Sequence, residues 1–159
     1  MTNIRAFETR IALMQAAASR IAEAIQSGIF ERGEAFVALS GGGTPEPAYE
    51  QLAAMPLDWP HVTFLLVDER FVPPTNAASN EALLRRALGP ALSAGANLLP
   101  MFSDTSLEEA ATSADAVYAG ATIDIALMGM GADGHTASWF DESPELDVVL
   151  NSARTIVAI

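Results

Sequence analysis

EAFVALSGGGTPEPAYEQLAA, residues 34–54, reads as a strand, a turn and a helix in immediate succession. Glu34 to Ser40 is a short apolar run between Gly33 and a triple glycine, and its length suits a buried strand better than a helix. The glycines turn the chain. Pro45 then opens a helix to about Ala54, because the first helical turn leaves its N–H groups unpaired and proline has none to lose.

The same alternation extends in both directions. Upstream, Ile11, Met14, Ala18, Ile21 and Ile25 recur at steps of three and four, which places them on one face of a helix expected to stop near Gly28. Downstream, His61 to Val67 holds the near-continuous apolar run VTFLLV, the habit of a parallel strand covered on both faces. Asp68 follows at its carboxyl end. Val72 to Ala78 is a loop; Ser79 caps a helix to about Leu88, which Gly89 and Pro90 end. A helix over Leu107–Tyr118, a strand over Ile123–Met128 and a last apolar run over Thr155–Ile159, expected to be the last strand, complete the series. The expectation is one α/β domain over residues 1–159, a three-layer, mostly parallel, Rossmann-like sheet flanked by helices. In open sheets of this kind ligands bind beyond the carboxyl ends of the strands, where the unusual residues of this chain collect.

Composition narrows the function. With 159 residues, half of them hydrophobic and 18% charged, and a mean hydropathy of +0.25, the chain has the means to bury one core, and global disorder is excluded. Twenty acidic against eight basic residues give a formal charge of −12, which argues against a nucleic-acid partner, since those proteins present a basic face. All eight basic residues are arginine, so Schiff-base and Walker-type lysine chemistry is excluded. The absence of cysteine excludes disulfides, thiolate nucleophiles and zinc–thiolate sites. No signal-peptide pattern opens the chain and no apolar stretch approaches the roughly 18 residues of a membrane span, so a cytoplasmic protein with no membrane partner is expected.

Ser40-Gly41-Gly42-Gly43-Thr44-Pro45 lies between a strand and a helix, where bare backbone N–H groups and the helix dipole favour an anion, phosphate above all. A ligand-free tight turn is the plainer alternative. Asp68-Glu69-Arg70 suits substrate-hydroxyl binding or phosphate clamping, and equally a surface ion pair. Asn80, after the Ser79 cap, carries an amide able to reach a ligand or serve as a second cap. Arg85 and Arg86 read as a solvated helix face, and His61 as structural, with no polar company.

In GMGADGH, Gly129, Gly131 and Gly134 fit the dinucleotide fingerprint G-x-G-x-x-G. That fingerprint also needs a long helix from the third glycine and an acidic residue some way on, and Pro144 cuts the helical window short. Asp133 and His135 point instead to an oriented general base. Trp139 and Phe140 are expected to pack the turn onto the core. One histidine with scattered carboxylates is too few ligands for a metal, and no serine sits in a G-x-S-x-G setting.

In this order ALSGGGTPEPAYEQL, LLVDERFVPP, SNEALLRRAL and DIALMGMGADGHTASWF resemble the 6-phosphogluconolactonase family over roughly residues 5–159. More distantly they resemble the glucosamine-6-phosphate deaminases. Those enzymes carry a Glu where this chain has Phe140 and an aromatic where it has Arg70, so the departures favour the lactonases. The resemblance implies hydrolysis of 6-phospho-D-glucono-1,5-lactone in the pentose phosphate pathway, with no cofactor and no metal. His135 would be the general base, oriented by Asp133, with backbone N–H groups around Gly131 on the oxyanion. Ser40, Gly41, Gly42, Gly43, Thr44, Asp68, Arg70 and Asn80 would bind the sugar phosphate. Family members run on further, with an arginine and a lysine that contact phosphate. The chain is therefore expected to lack a C-terminal part, to form a monomer when complete and to self-associate as a fragment. The competing readings are a non-catalytic sugar-phosphate binding remnant, a deaminase-like isomerase and a dinucleotide module.

Overall fold

The computed structural model describes residues 3–159; residues 1 and 2 of the expected domain lie outside the described residues. Helix α1 (Arg10–Arg32) starts where the Thr9 side chain accepts the Ala12 N–H, and it ends at Gly33, which takes the left-handed conformation at φ 81°. The expected stop at Gly28 is therefore one turn early. Gly28 is a buried helical residue instead, and a Cβ there would lie 2.7 Å from the Asp124 carboxylate. Met14, Ala18, Ile21 and Ile25 form the buried stripe as expected, whereas Ile11 is 69% exposed at the first turn.

Strands β1 (Ala35–Leu39), β2 (Val62–Leu66), β3 (Asn97–Leu98) and β4 (Ile123–Leu127) form one sheet in the order β3-β2-β1-β4, with every pairing parallel. Register matters for the site: Leu39 pairs with Leu66 on one side and Leu127 on the other. The three strands thus end level, and Ser40, Val67 and Met128 leave the sheet side by side.

Alternation within the strands divides the core. Val37, Leu39, Phe64 and Leu66 face α1, α2 (Glu46–Ala53), α3 (Asn80–Ala87) and α4 (Gly89–Ser93), whereas Ala38 and Leu65 face Tyr118 at the end of α5 (Leu107–Tyr118). This is the expected helix–sheet–helix layering. Burial pushes the Tyr118 phenol up to about 12. Its hydroxyl donates to Leu99 O at 2.9 Å and accepts from Leu66 N at 3.1 Å, tying α5 to the sheet.

Several expectations give way. Gly89-Pro90 opens α4 as well as ending α3, since proline suits a first turn. The two-residue β3 is too short to carry a periodic signal. Thr155–Ile159 forms no strand; Asp115 of α5 takes the backbone N–H groups of Thr155 and Ile156, leaving them no ladder to join. The short helix α6 (Leu146–Asn151) follows Pro144 and buries none of its residues. Trp139 and Phe140 are 42% and 45% exposed, so neither packs the turn onto the core. Arg85 and Arg86 are not merely solvated: Arg85 pairs with the buried Glu81 at 2.7 Å and Arg86 with Glu46 of α2 at 2.6 Å. His61 has polar company in Asp58, at 3.0 Å.

Candidate active site

Because β1, β2 and β4 end level, the loops after them share one cavity of ≈ 540 Å³, beneath the first turns of α1. The loop after β1 lines it with Ser40, Gly41, Gly42 and Thr44; Asp68, Arg70 and Asn80 come from the β2 side; Gly131 and His135 come from the turn after β4. Gly43 and Asp133 stand outside the lining. Residues separated by as much as the length of the sheet's crossovers are thereby brought together.

The glycine loop is shaped by close approach. Gly42 adopts φ 92°, which disfavours any residue with a Cβ. A Cβ on Gly41 would lie 1.8 Å from Asn80 Oδ1, so the Asn80 amide requires a glycine opposite it. Tyr49 of α2 donates its buried hydroxyl to Ser40 O at 2.8 Å, and burial pushes that phenol up, so it stays a donor. Ser40 N–H is taken by Leu127 O at 3.1 Å. Its Oγ is buried with no hydrogen-bond partner among the described residues, an exception of the kind buried polar groups seldom show.

Beyond β2, Glu69 organises the wall. Its carboxylate accepts the N–H groups of Arg70, Asn80 and Glu81, each at 2.8 Å, and the Ser79 hydroxyl at 2.9 Å. A carboxylate here meets the unpaired N–H groups and positive dipole end of α3, in addition to the local cap by Ser79. Asn80 donates to Asp68 O at 2.9 Å and Asp68 Oδ1 at 3.3 Å, while its own Oδ1 accepts from Arg70 at 3.2 Å. Arg70 reaches Ala78 O at 2.6 Å too. It makes no ion pair with Asp68, whose other carboxylate oxygen accepts from Ser138 at 2.8 Å.

After β4 the chain folds back on itself, with Gly131 N–H donating to His135 O at 2.8 Å and Gly134 N–H to Gly131 O at 3.0 Å. The Gly131 N–H is therefore occupied, which removes it as an oxyanion donor. What Gly131 provides is room: a Cβ would lie 2.3 Å from His135 Cε1. His135 Nδ1 sits 2.5 Å from Asp133 Oδ1, and that hydrogen bond holds the Asp133 carboxyl below its usual range. Nε2 is left without a protein partner among the described residues. The His135 ring packs against Phe140, centroids 4.4 Å apart.

Three participants are not singled out by the sequence alone. Ser138 fixes Asp68 across 70 positions, and Ala137 before it holds φ 50°, a strained conformation for a non-glycine residue. Glu69 is visible only as a neighbour of two candidates. Arg10 donates from Nη2 to Gly43 O at 2.9 Å and Thr44 O at 3.2 Å, which brings a second basic residue to the glycine loop. Its sequence signal is the helical spacing from Arg10 to Leu13, Met14 and Ala17, which line the cavity. A second cavity, ≈ 290 Å³, shares Asp68 and Arg70 but contains neither His135 nor the glycine loop. Among the described residues no helix is long and apolar enough to cross a membrane.

Known proteins resemble this chain in sequence and in fold. The 6-phosphogluconolactonase of Caulobacter vibrioides is 41% identical over 98% of this chain and 69% of its own length. That of Pseudomonas putida is 44% identical over 85% of this chain and 57% of its own. The crystal structure of a 6-phosphogluconolactonase from Shewanella baltica superposes with a TM-score of 0.91 at 34% identity, covering 97% of this chain and 67% of that one. The chain thus spans about two thirds of the length of such relatives. Residues 8–159 match the sequence profile of the glucosamine-6-phosphate isomerases/6-phosphogluconolactonase family, and the chain belongs to it.

Proposed function

We propose that this site hydrolyses 6-phospho-D-glucono-1,5-lactone to 6-phosphogluconate, the lactone-opening step of the oxidative pentose phosphate pathway. The observation that carries the reading is the meeting, in one cavity, of an imidazole whose outer nitrogen and a glycine loop whose buried serine hydroxyl both lack a partner among the described residues. In the proposed reaction His135 Nε2 takes a proton from water as the water oxygen attacks the lactone carbonyl carbon. The tetrahedral intermediate then expels the ring oxygen, which receives the proton from His135. Asp133 holds the ring by Nδ1 and stabilises the imidazolium formed in between. The phosphate lies against residues 40–44 with Arg70 beside it, and Asp68 and Asn80 meet the sugar hydroxyls.

Phe140 against the imidazole supports lactone hydrolysis over ring-opening isomerisation, because it puts an apolar ring where the deaminases have a carboxylate. The reading implies a cytoplasmic setting and, for the complete protein, a monomer. His135→Asn is expected to lower kcat by about 10² to 10⁴ with little change in KM, the scale of a removed general base. Near-normal turnover, measured above spontaneous lactone hydrolysis, would remove His135 from the mechanism. Binding of the phosphate ligand without turnover in the wild type would favour a binding protein instead.

A further inference from the structure

Charge pairing across the molecule is uneven. Five of the eight arginines form ion pairs: Arg20 with Glu23, Arg32 with Glu31 and Asp124, Arg85 with Glu81, Arg86 with Glu46, and Arg154 with Asp115. The remaining three, Arg5, Arg10 and Arg70, have no carboxylate partner among the described residues. Arg5 instead lies over the Phe7 ring, 5.8 Å from its centroid. Arg10 and Arg70 are both exposed, and without a carboxylate partner among the described residues each keeps its charge available to an anion. Arg10 and Arg70 both attach to the same loop. Arg70 reaches its Gly41 end through Asn80, and Arg10 bonds the Gly43 and Thr44 carbonyls at its other end.

We propose that Arg10 is a second phosphate-recognition residue of this site, adding positive charge at the Gly43–Thr44 end of the glycine loop; this rests on the reading of that loop as a phosphate site. Two features support the placement. Arg10 lies on the α1 stripe that continues through Leu13, Met14 and Ala17 into the cavity lining. Nη2 spends its two protons on the loop carbonyls, and of the five guanidinium N–H donors about three, on Nε and Nη1, stay uncommitted. The buried, unpartnered Ser40 hydroxyl independently marks the loop as a place where a ligand completes the hydrogen bonding.

The test titrates inorganic phosphate into the wild-type chain and into Arg10→Gln and Arg5→Gln, following the loop amides by NMR at low salt and at about 1 M salt, where charges are screened within roughly 3 Å. Glutamine keeps an N–H₂ group for the carbonyls and loses the charge. Arg10→Gln is expected to raise the phosphate Kd about two- to fivefold at low salt, the scale of a solvated charge contact. The gap from wild type closes at high salt, and Arg5→Gln binds as wild type does. The proposal falls if Arg10→Gln binds phosphate like wild type, if Arg5→Gln loses as much, if the loss persists at high salt as a loop distortion would, or if the wild-type loop does not respond to phosphate. A wild type that binds phosphate through Arg10 yet hydrolyses no lactone would overturn the lactonase reading and leave Arg10 in place.

Discussion

Arg70 and Arg10 differ in how each is held. Arg70 is locked to Ala78 O and Asn80 Oδ1 within a network reaching Glu69 and Asp68, so its guanidinium is pre-positioned before any ligand arrives. Preorganisation of this kind reduces the ordering cost of binding. Arg70→Ala is expected to act mainly on KM. A charge-assisted hydrogen bond contributes about 1.5 to 3 kcal/mol, and kcat/KM for the phosphorylated lactone should fall by roughly 10- to 150-fold, toward the lower end because the side chain is exposed. The unphosphorylated lactone is the control: equal losses on both substrates would show that Arg70 supports the wall and does not meet the phosphate. His135 and Gly131 make the complementary point. The glycine is needed for the space under the imidazole, not for its N–H, which His135 O already holds.

At the scale of elements, α3 is anchored less by its own residues than by Glu69 across the loop. Removing that carboxylate leaves three N–H groups and a hydroxyl without their acceptor, two of the N–H groups at the positive end of a helix. Glu69→Ala should therefore destabilise the fold by about 1 to 2 kcal/mol, the scale of a lost cap. It should also lower kcat/KM, because Asn80 and Arg70 move with the helix; unchanged KM and kcat in a folded, destabilised variant would confine Glu69 to stability. The end of the chain depends on another carboxylate. Hydrogen bonds from Ile156 N first, then Arg154 and Thr155, hold the Asp115 carboxyl below its ordinary value. A depressed carboxyl stabilises the attachment above its unfolded pKa of about 3.9, and that stabilisation is lost as pH falls through the lower folded value. The protection factors of the Thr155 and Ile156 amides, taken relative to intrinsic exchange at each pH, should hold near pH 6 and fall only below about pH 4. Fast exchange already at pH 6, or protection undiminished at pH 2, would contradict this anchoring.

Over the whole molecule, site and stability are linked through the open end of the sheet. Ligand bound across the loops after β1, β2 and β4 stabilises the folded state by mass action, about 2.7 kcal/mol at a hundred times Kd. A sugar phosphate should accordingly raise the melting temperature. Ser40→Ala gives the sharper comparison, since its Oγ has no partner to lose among the described residues: the melting temperature without ligand should hold or rise, and the ligand-induced shift should shrink. A full-sized shift in that variant would separate Ser40 from the ligand. Both effects arise because the principal core lies between the sheet and α1 to α4, leaving the strand ends free for binding.

The amino-acid sequence by itself determined the elements whose cues are local. The run AFVAL before three glycines, Pro45 after them, the Ser79 cap and the continuous apolar β2 each depend on neighbours a few positions away, and all lie within a residue or two of their expected places. The glycine loop and the Asp133–His135 pair were legible for the same reason. Tertiary structure decided what depends on distant partners. Gly28 lies inside α1, where the close Asp124 carboxylate leaves no room for a Cβ, and β3 exists only because Phe64 offers Leu98 a parallel partner. Arg10 meets Gly43 across 33 positions, and Ser138 meets Asp68 across 70. Such contacts follow from strand order and register, which bring together side chains whose separation along the chain carries no period to read.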